Sequence, residues 1–180
     1  MKVIKTPIDG LVVIEPNVFG DARGYFFESF NQAEFEREVG PVHFVQDNES
    51  RSVYGVVRGL HFQKGEHAQA KLVRAAVGSV LDVAVDLRKG SPTFGHSFSV
   101  ELSDENHLML FIPRGFAHGF SVLSEHAVFQ YKCDNFYCPD AEGALAWNDP
   151  ELAIDWQIPD SEVLLSGKDR NHPLLKDLIL

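Results

Sequence analysis

The stretch RGLHFQKGEHAQAKLVR, residues 58–74, holds two imidazoles, His61 and His67, followed by the cations Lys71 and Arg74. Strict alternation places Gly59, His61 and Gln63 on one face of a strand and Leu60 and Phe62 on the other. His61 therefore points with polar company. Two readings suit such a residue. It is a hydrogen-bonded strand histidine or a metal ligand. A metal site needs convergent His, Cys or carboxylate donors. Lys71 and Arg74 would repel a cation, and they suit an anion or a developing oxyanion instead.

Other stretches carry groups of the same kind. IPRGFAHGFSVLSE (112–125) sets His118 among glycines and phenylalanines, as a core histidine or as a group at a barrel lip. Tyr131 falls on the apolar face of its strand, so its hydroxyl is expected to find an internal partner. GDARGYFFESFN (20–31) is a turn feeding an edge strand, or a basic and aromatic edge that grips a nucleotide through Arg23. VQDNESRS (45–52) has the residues of a turn. LLSGKDRNHP (164–173), with Lys168 and Asp169, reads as a solvated loop.

Strands must position these groups. HSFSVELSDENHLMLFIP (96–113) alternates Phe98, Val100 and Leu102 with Ser97, Ser99 and Glu101, and SDEN then a second apolar run predict a β-hairpin. SVLDVAVDLRKG (79–90) sets Val83, Val85 and Leu87 against Asp82, Ala84 and Asp86. AVFQYKCD (127–134) alternates Ala127, Phe129, Tyr131 and Cys133 with Val128, Gln130, Lys132 and Asp134. NQAEFEREVG (31–40) predicts a helix capped by Asn31 and stopped by Gly40, and a second short helix is expected near 173–178. Many short strands with frequent turns and few helices indicate an all-β sandwich or barrel.

The 180 residues are expected to form one domain, 1–180, burying roughly two-thirds of the unfolded surface. A net charge of −10 argues against nucleic acid or an acidic membrane as partner, yet leaves room for a locally basic pocket. No apolar run approaches the ~20 residues of a spanning helix. No secretory signal is visible, and two cysteines, Cys133 and Cys138, make neither a disulfide framework nor a structural zinc site. Cytoplasmic residence is expected.

Taken together, VFGDARGYFFESFN, FVQDN, VVRGLHFQKGEHAQAKLVRAAVGSVLDVAVDLRKGSPTFG, IPRGFAHGF, YKCDNFY, AEGALAWNDP and LSGKDR occur in an order that resembles the dTDP-4-dehydrorhamnose 3,5-epimerases. The resemblance covers nearly the whole chain. It implies a cupin-type jelly roll with a few short peripheral helices. It also implies metal-free inversion of carbons 3 and 5 of a dTDP-linked 4-keto-6-deoxy sugar, with no cofactor. His61 matches the general base, Asp169 the carboxylate that orients it, Tyr131 the general acid and Lys71 the cation beside the keto oxygen.

Binding roles follow from the same resemblance. Arg23 and Glu28 match positions supplied by the partner subunit of a homodimer. Gln46, Asp47 and Asn48 match a segment near the nucleotide, and Arg58 and His118 match contacts close to sugar and diphosphate. Tyr137 matches an aromatic that stacks on thymine, with Phe136 beside it. Glu142 and Lys168 match peripheral nucleotide contacts, and Asp82 a buried acid in the hydrogen-bond network. Related enzymes epimerise a single carbon with most of these residues intact. A single-carbon epimerase is therefore the alternative, and a non-catalytic nucleotide-sugar binder a further one.

Overall fold

The computed structural model describes residues 1–179. In chain order the strands are β1 (Lys2–Lys5), β2 (Val12–Glu15), β3 (Phe19–Asp21), β4 (Gly24–Phe26), β5 (Gln46–Val53), β6 (Val57–Gln63) and β7 (Lys71–Val77). They continue as β8 (Ser79–Asp86), β9 (Ser97–Ser103), β10 (Met109–Ile112), β11 (Phe116–Val122), β12 (His126–Cys133) and β13 (Glu142–Ala144). One sheet has the order β1-β2-β10-β7-β12-β5 and a second the order β13-β6-β11-β8-β9, while β3 and β4 form a separate ribbon. Two sheets packed face to face give the expected all-β sandwich.

The inner faces build the central core. Val73, Leu110, Ala127 and Phe129 of the first sheet meet Val80, Ala84, Leu102, Phe116, Phe120 and Val122 of the second. Each outer face is covered as well. The helix α1 (Gln32–Glu38) lays Phe35 over Ile14, Leu72, Met109 and Phe111. Asn31 caps it as expected, its side chain accepting from the Glu34 backbone N–H at 3.2 Å. On the second sheet, Leu145, Leu152 and Trp156 of the carboxy-terminal tail cover Val57, Leu60, Leu81, Val83 and Val85. Both faces of β8 are thus apolar contacts, so Ala84 and Val85 are equally buried on opposite sides.

Four sequence expectations are corrected. Residues 96–113 contain two strands but no hairpin: β9 pairs with β8, whereas β10 pairs with β2 and β7 in the other sheet. The SDEN turn redirects the chain between sheets. Asn106 Oδ1 accepts from the backbone N–H of Ser103 (3.0 Å) and Leu108 (2.9 Å), and His107 takes a left-handed φ of 54°. VQDNESRS is no turn; Gln46–Val53 is an edge strand paired with β12. Its charged Asp47, Glu49 and Arg51 face solvent, which blunts the edge, and its polar inward positions face a cavity rather than the core. The 164–173 segment is largely exposed, Lys168 included, but Asp169 within it is not solvated. Asp169 is 4% exposed, held in a 3-10 turn (Asp169–Asn171) against the second sheet. The short helix expected near 173–178 is a single 3-10 turn, Leu175–Asp177. Among the described residues no helix is long and apolar enough to cross a membrane.

Candidate active site

Two glycines set the geometry from which the site is built. Where β6 runs beside β11, a Cβ on Gly59 would lie 2.6 Å from the Gly119 Cα, and one on Gly119 would lie 2.6 Å from the Arg58 carbonyl oxygen. Only a glycine pair permits so close an approach, and Gly59 also takes φ of +130°. The pairing register shifts at this point, with His118 opposite His61 but Phe120 opposite Arg58. Strict alternation would send Arg58 away from His61. The irregularity lets both residues line one cleft, with Lys168 and Asp169.

His61 and His118 each contact a carboxylate. His61 Nε2 lies 2.7 Å from Asp169 Oδ1, and His118 Nε2 lies 2.8 Å from Asp82 Oδ2. Asp169 is fixed from its other side: Ser166 Oγ donates to Oδ2 (2.7 Å) and accepts from the Asp169 backbone N–H (3.1 Å). This Ser-x-x-Asp reciprocity is legible as a capping pattern. Burial alone would raise the Asp169 carboxyl, but the hydrogen bonds from His61 and Ser166 outweigh it and hold it below the usual range. The ionised carboxylate accepts an N–H from His61 Nε2. Neutral His61 then keeps its lone pair on Nδ1, which is left for a ligand. His118 is buried with Asp82, and desolvation pushes its imidazole below its ordinary value despite that acid.

Opposite His61, β12 and β7 of the first sheet supply Tyr131 and Lys71. All three line one cavity of about 340 Å³, with Gln46, Asn48, Gln63, Gln69, Cys133, Tyr137 and Glu142. Lys71 Nζ sits 5.9 Å from the centre of the Tyr131 ring. Burial lowers the Lys71 ammonium, opposed by Cys133 and Asp82. Burial and Cys133 raise the Tyr131 phenol, against the pull of Arg58, so it stays protonated at neutral pH. No hydrogen bond among the described residues contributes to that shift. The internal partner expected for this hydroxyl is missing because the ring stands at a cavity wall, not in the core.

Nucleotide-side candidates form a chain of contacts along the rim. The Gln46 side chain accepts from the Tyr137 backbone N–H (3.0 Å) and donates to Asn48 (3.1 Å). Tyr137 donates to Glu142 (3.0 Å), which Lys168 approaches at 3.6 Å. Phe136 and Tyr137 are both exposed. Arg58 donates to Ser52 Oγ at 3.1 Å.

Other candidates lie apart from the cavity within this chain. Asp47 points outward to Lys132 at 3.0 Å, because alternation along β5 turns it away from Gln46 and Asn48. Arg23 caps the β3–β4 ribbon against Asp21, with its side chain 90% exposed, and Glu28 accepts from Asn31. Asp82 stands behind His118 and does not line the cavity. Residue reading alone missed Ser166, Ser52, Gln63, Gln69 and His172. The His172 ring meets His61 edge-on at 5.5 Å, at an interplanar angle of 77°. It follows the turn that presents Asp169, and only tertiary folding brings it there.

Comparison with known proteins finds matches over nearly the whole chain. The family described as dTDP-4-dehydrorhamnose 3,5-epimerase matches residues 5–177. The dTDP-4-dehydrorhamnose 3,5-epimerase of Salmonella typhimurium is 56% identical over 184 residues, covering 100% of this chain and 98% of its own. The crystal structure of the enzyme of that name from Elizabethkingia anophelis superposes with a TM-score of 0.94 at 58% identity, covering 98% of this chain and 97% of its own. The dTDP-6-deoxy-D-glucose-3,5-epimerase of Legionella pneumophila, solved with dTDP-4-keto-L-rhamnose, gives 0.95 at 50% identity, covering 99% and 94%. With a jelly-roll sandwich and an imidazole, a phenol and an ammonium lining one cavity, the chain belongs to the dTDP-4-dehydrorhamnose 3,5-epimerase family.

Proposed function

We propose that this chain is an isomerase that inverts carbons 3 and 5 of dTDP-4-dehydro-6-deoxy-D-glucose, giving dTDP-4-dehydro-L-rhamnose. The observation that carries the reading is the shared cavity, with His61 on one sheet and Tyr131 and Lys71 on the other. A hydrogen on a carbon next to a ketone is acidic because the carbonyl oxygen takes up the charge of the resulting enolate. His61 Nδ1 removes that proton, and Asp169 stabilises the imidazolium through Nε2. The Lys71 ammonium balances the enolate oxygen. Tyr131 returns a proton to the opposite face of the same carbon, and solvent restores both groups before the second inversion. Arg58, His118 and Lys168 contact the sugar and diphosphate, and Asp82 holds His118. Gln46, Asn48, Tyr137 and Glu142 form the nucleoside side.

The chain works as a single domain and as a homodimer, with Arg23 and Glu28 reaching the partner's cavity. The cytoplasm suits both free cysteines, Cys133 and Cys138. The decisive experiment is incubation with the 4-keto-6-deoxy nucleotide sugar in heavy water, followed by NMR of the product. Deuterium at both carbon 3 and carbon 5 is the expected outcome. Label at one carbon would make the chain a single-carbon epimerase, and no label would make it a binder.

A further inference from the structure

We propose that His61, Asp169 and His172 form a binding site for a zinc-class divalent cation, and that occupancy switches off the proton-transfer chemistry. The three donor atoms lie within 4.8 Å of one another. Around a tetrahedral ion with bonds of ~2.0–2.2 Å, donor atoms stand roughly 3.3 Å apart. Loading an ion would lengthen the 2.7 Å separation of Asp169 Oδ1 from His61 Nε2 and shorten the 4.0 Å separation from His172 Nδ1.

His172 supplies an independent reason. Its Nδ1 is buried without a hydrogen-bond partner, and a carboxylate oxygen is its near neighbour. A buried imidazole nitrogen left unpaired is costly, and a cation between it and the Asp169 oxygen would give both atoms a bond. The carboxylate oxygen not offered to the ion is itself held by the Ser166 hydroxyl, as is common for metal-ligating carboxylates. Of the cations that argue against a metal in the sequence, Arg74 lies over the Phe27 ring, while Lys71 stands over Tyr131 across the shared cavity from His61.

The consequence for catalysis follows from proton bookkeeping. Free neutral His61 carries its proton on Nε2, facing Asp169, and its lone pair on Nδ1. A zinc ion that takes Nε2 as ligand leaves the neutral ring its one proton on Nδ1. No proton is lost from the ring, yet the nitrogen facing the sugar becomes a donor and can no longer accept. The ion inhibits by fixing the wrong tautomer.

Zinc chloride and, for its absorption spectrum, cobalt chloride are the probes, titrated into the full-length wild-type protein. One ion per chain is expected, with tetrahedral cobalt absorption, turnover lost in step with occupancy, and recovery on adding EDTA. His172→Asn and His172→Phe, the latter keeping a ring in place, should bind the ion at least about tenfold more weakly by cobalt absorption. A Cys138→Ser variant should bind the ion as wild type does. The proposal fails if no ion binds, if an ion binds without loss of turnover, or if both His172 variants bind it at the wild-type concentration. Cobalt absorption reads the site even should the heavy-water experiment show no epimerisation, so the two readings fail separately.

Discussion

Asp169 ties folding to catalysis at a single carboxylate. Asp169→Asn keeps the shape but replaces an acceptor with a group that donates to His61 Nε2, which drives the ring proton to Nδ1 and disables the base. Turnover should fall about 10²–10⁴-fold with little change in nucleotide binding; a variant within a few-fold of wild type would refute the assignment. The same residue governs acid stability. Its folded pKa is depressed, so its contribution is present above the unfolded value near ~3.9 and is lost as pH falls through the folded value. The gap in Tm between wild type and Asp169→Asn should therefore be open at pH 7 and close below about pH 4. Lys71 sets the alkaline limit on activity. Burial lowers its ammonium, so the alkaline limb of kcat/KM should fall below the ~10.4 of free lysine. Lys71→Arg, with a lower rate, should move that limb upward; an unmoved limb would assign it to another group.

Between strands, the Gly59–Gly119 approach is what holds the two histidine–carboxylate pairs side by side. Gly119→Ala would place a methyl 2.6 Å from the Arg58 carbonyl oxygen and 3.1 Å from the Gly59 Cα, both backbone atoms. The strands must part, at a cost of about 1–3 kcal/mol by analogy with overpacked cores. Denaturant unfolding should register that loss, and turnover at a temperature where the variant is folded should fall further than that of Gly20→Ala, whose added Cβ meets nothing closer than 3.8 Å. Equal effects would make the glycine pair incidental. Element types were readable here wherever one face is buried: β9, β12 and α1 announce themselves by period. Pairing was not, because a polar turn looks the same whether it closes a hairpin or carries the chain to the other sheet. Nor was β5 legible, since a strand whose inner face lines a polar cavity lacks the apolar alternation that marks a strand. Asp169 and Lys168 gained functional roles through family resemblance, while their local residues spoke only of a loop. His172 had neither signal.

The assembly is where the isolated chain looks incomplete. The β3–β4 ribbon pairs with neither sheet, and an isolated two-stranded hairpin is marginally stable in water. Its Phe19, Tyr25 and Phe26 are 66%, 59% and 67% exposed, an apolar display that a monomer has no reason to keep. Arg23 stands at its tip, remote from its own cavity but suited to reach a diphosphate in a partner's. If the ribbon joins two copies, Phe19→Ser/Phe26→Ser should halve the mass measured by light scattering. It should leave the far-ultraviolet circular dichroism of the sandwich unchanged and cut kcat/KM through a raised KM. Arg23→Ala should raise KM without changing the mass, because it removes a ligand contact and leaves the apolar contact in place. Mixing Arg23→Ala with His61→Asn then separates the two roles. In a mixed dimer one cavity combines an intact His61 with an intact Arg23 from the other copy, and activity should return to about half of wild type per dimer. Failure of the mixture to recover, with exchange of subunits verified by mass, would mean that each chain builds its own site without the partner's ribbon.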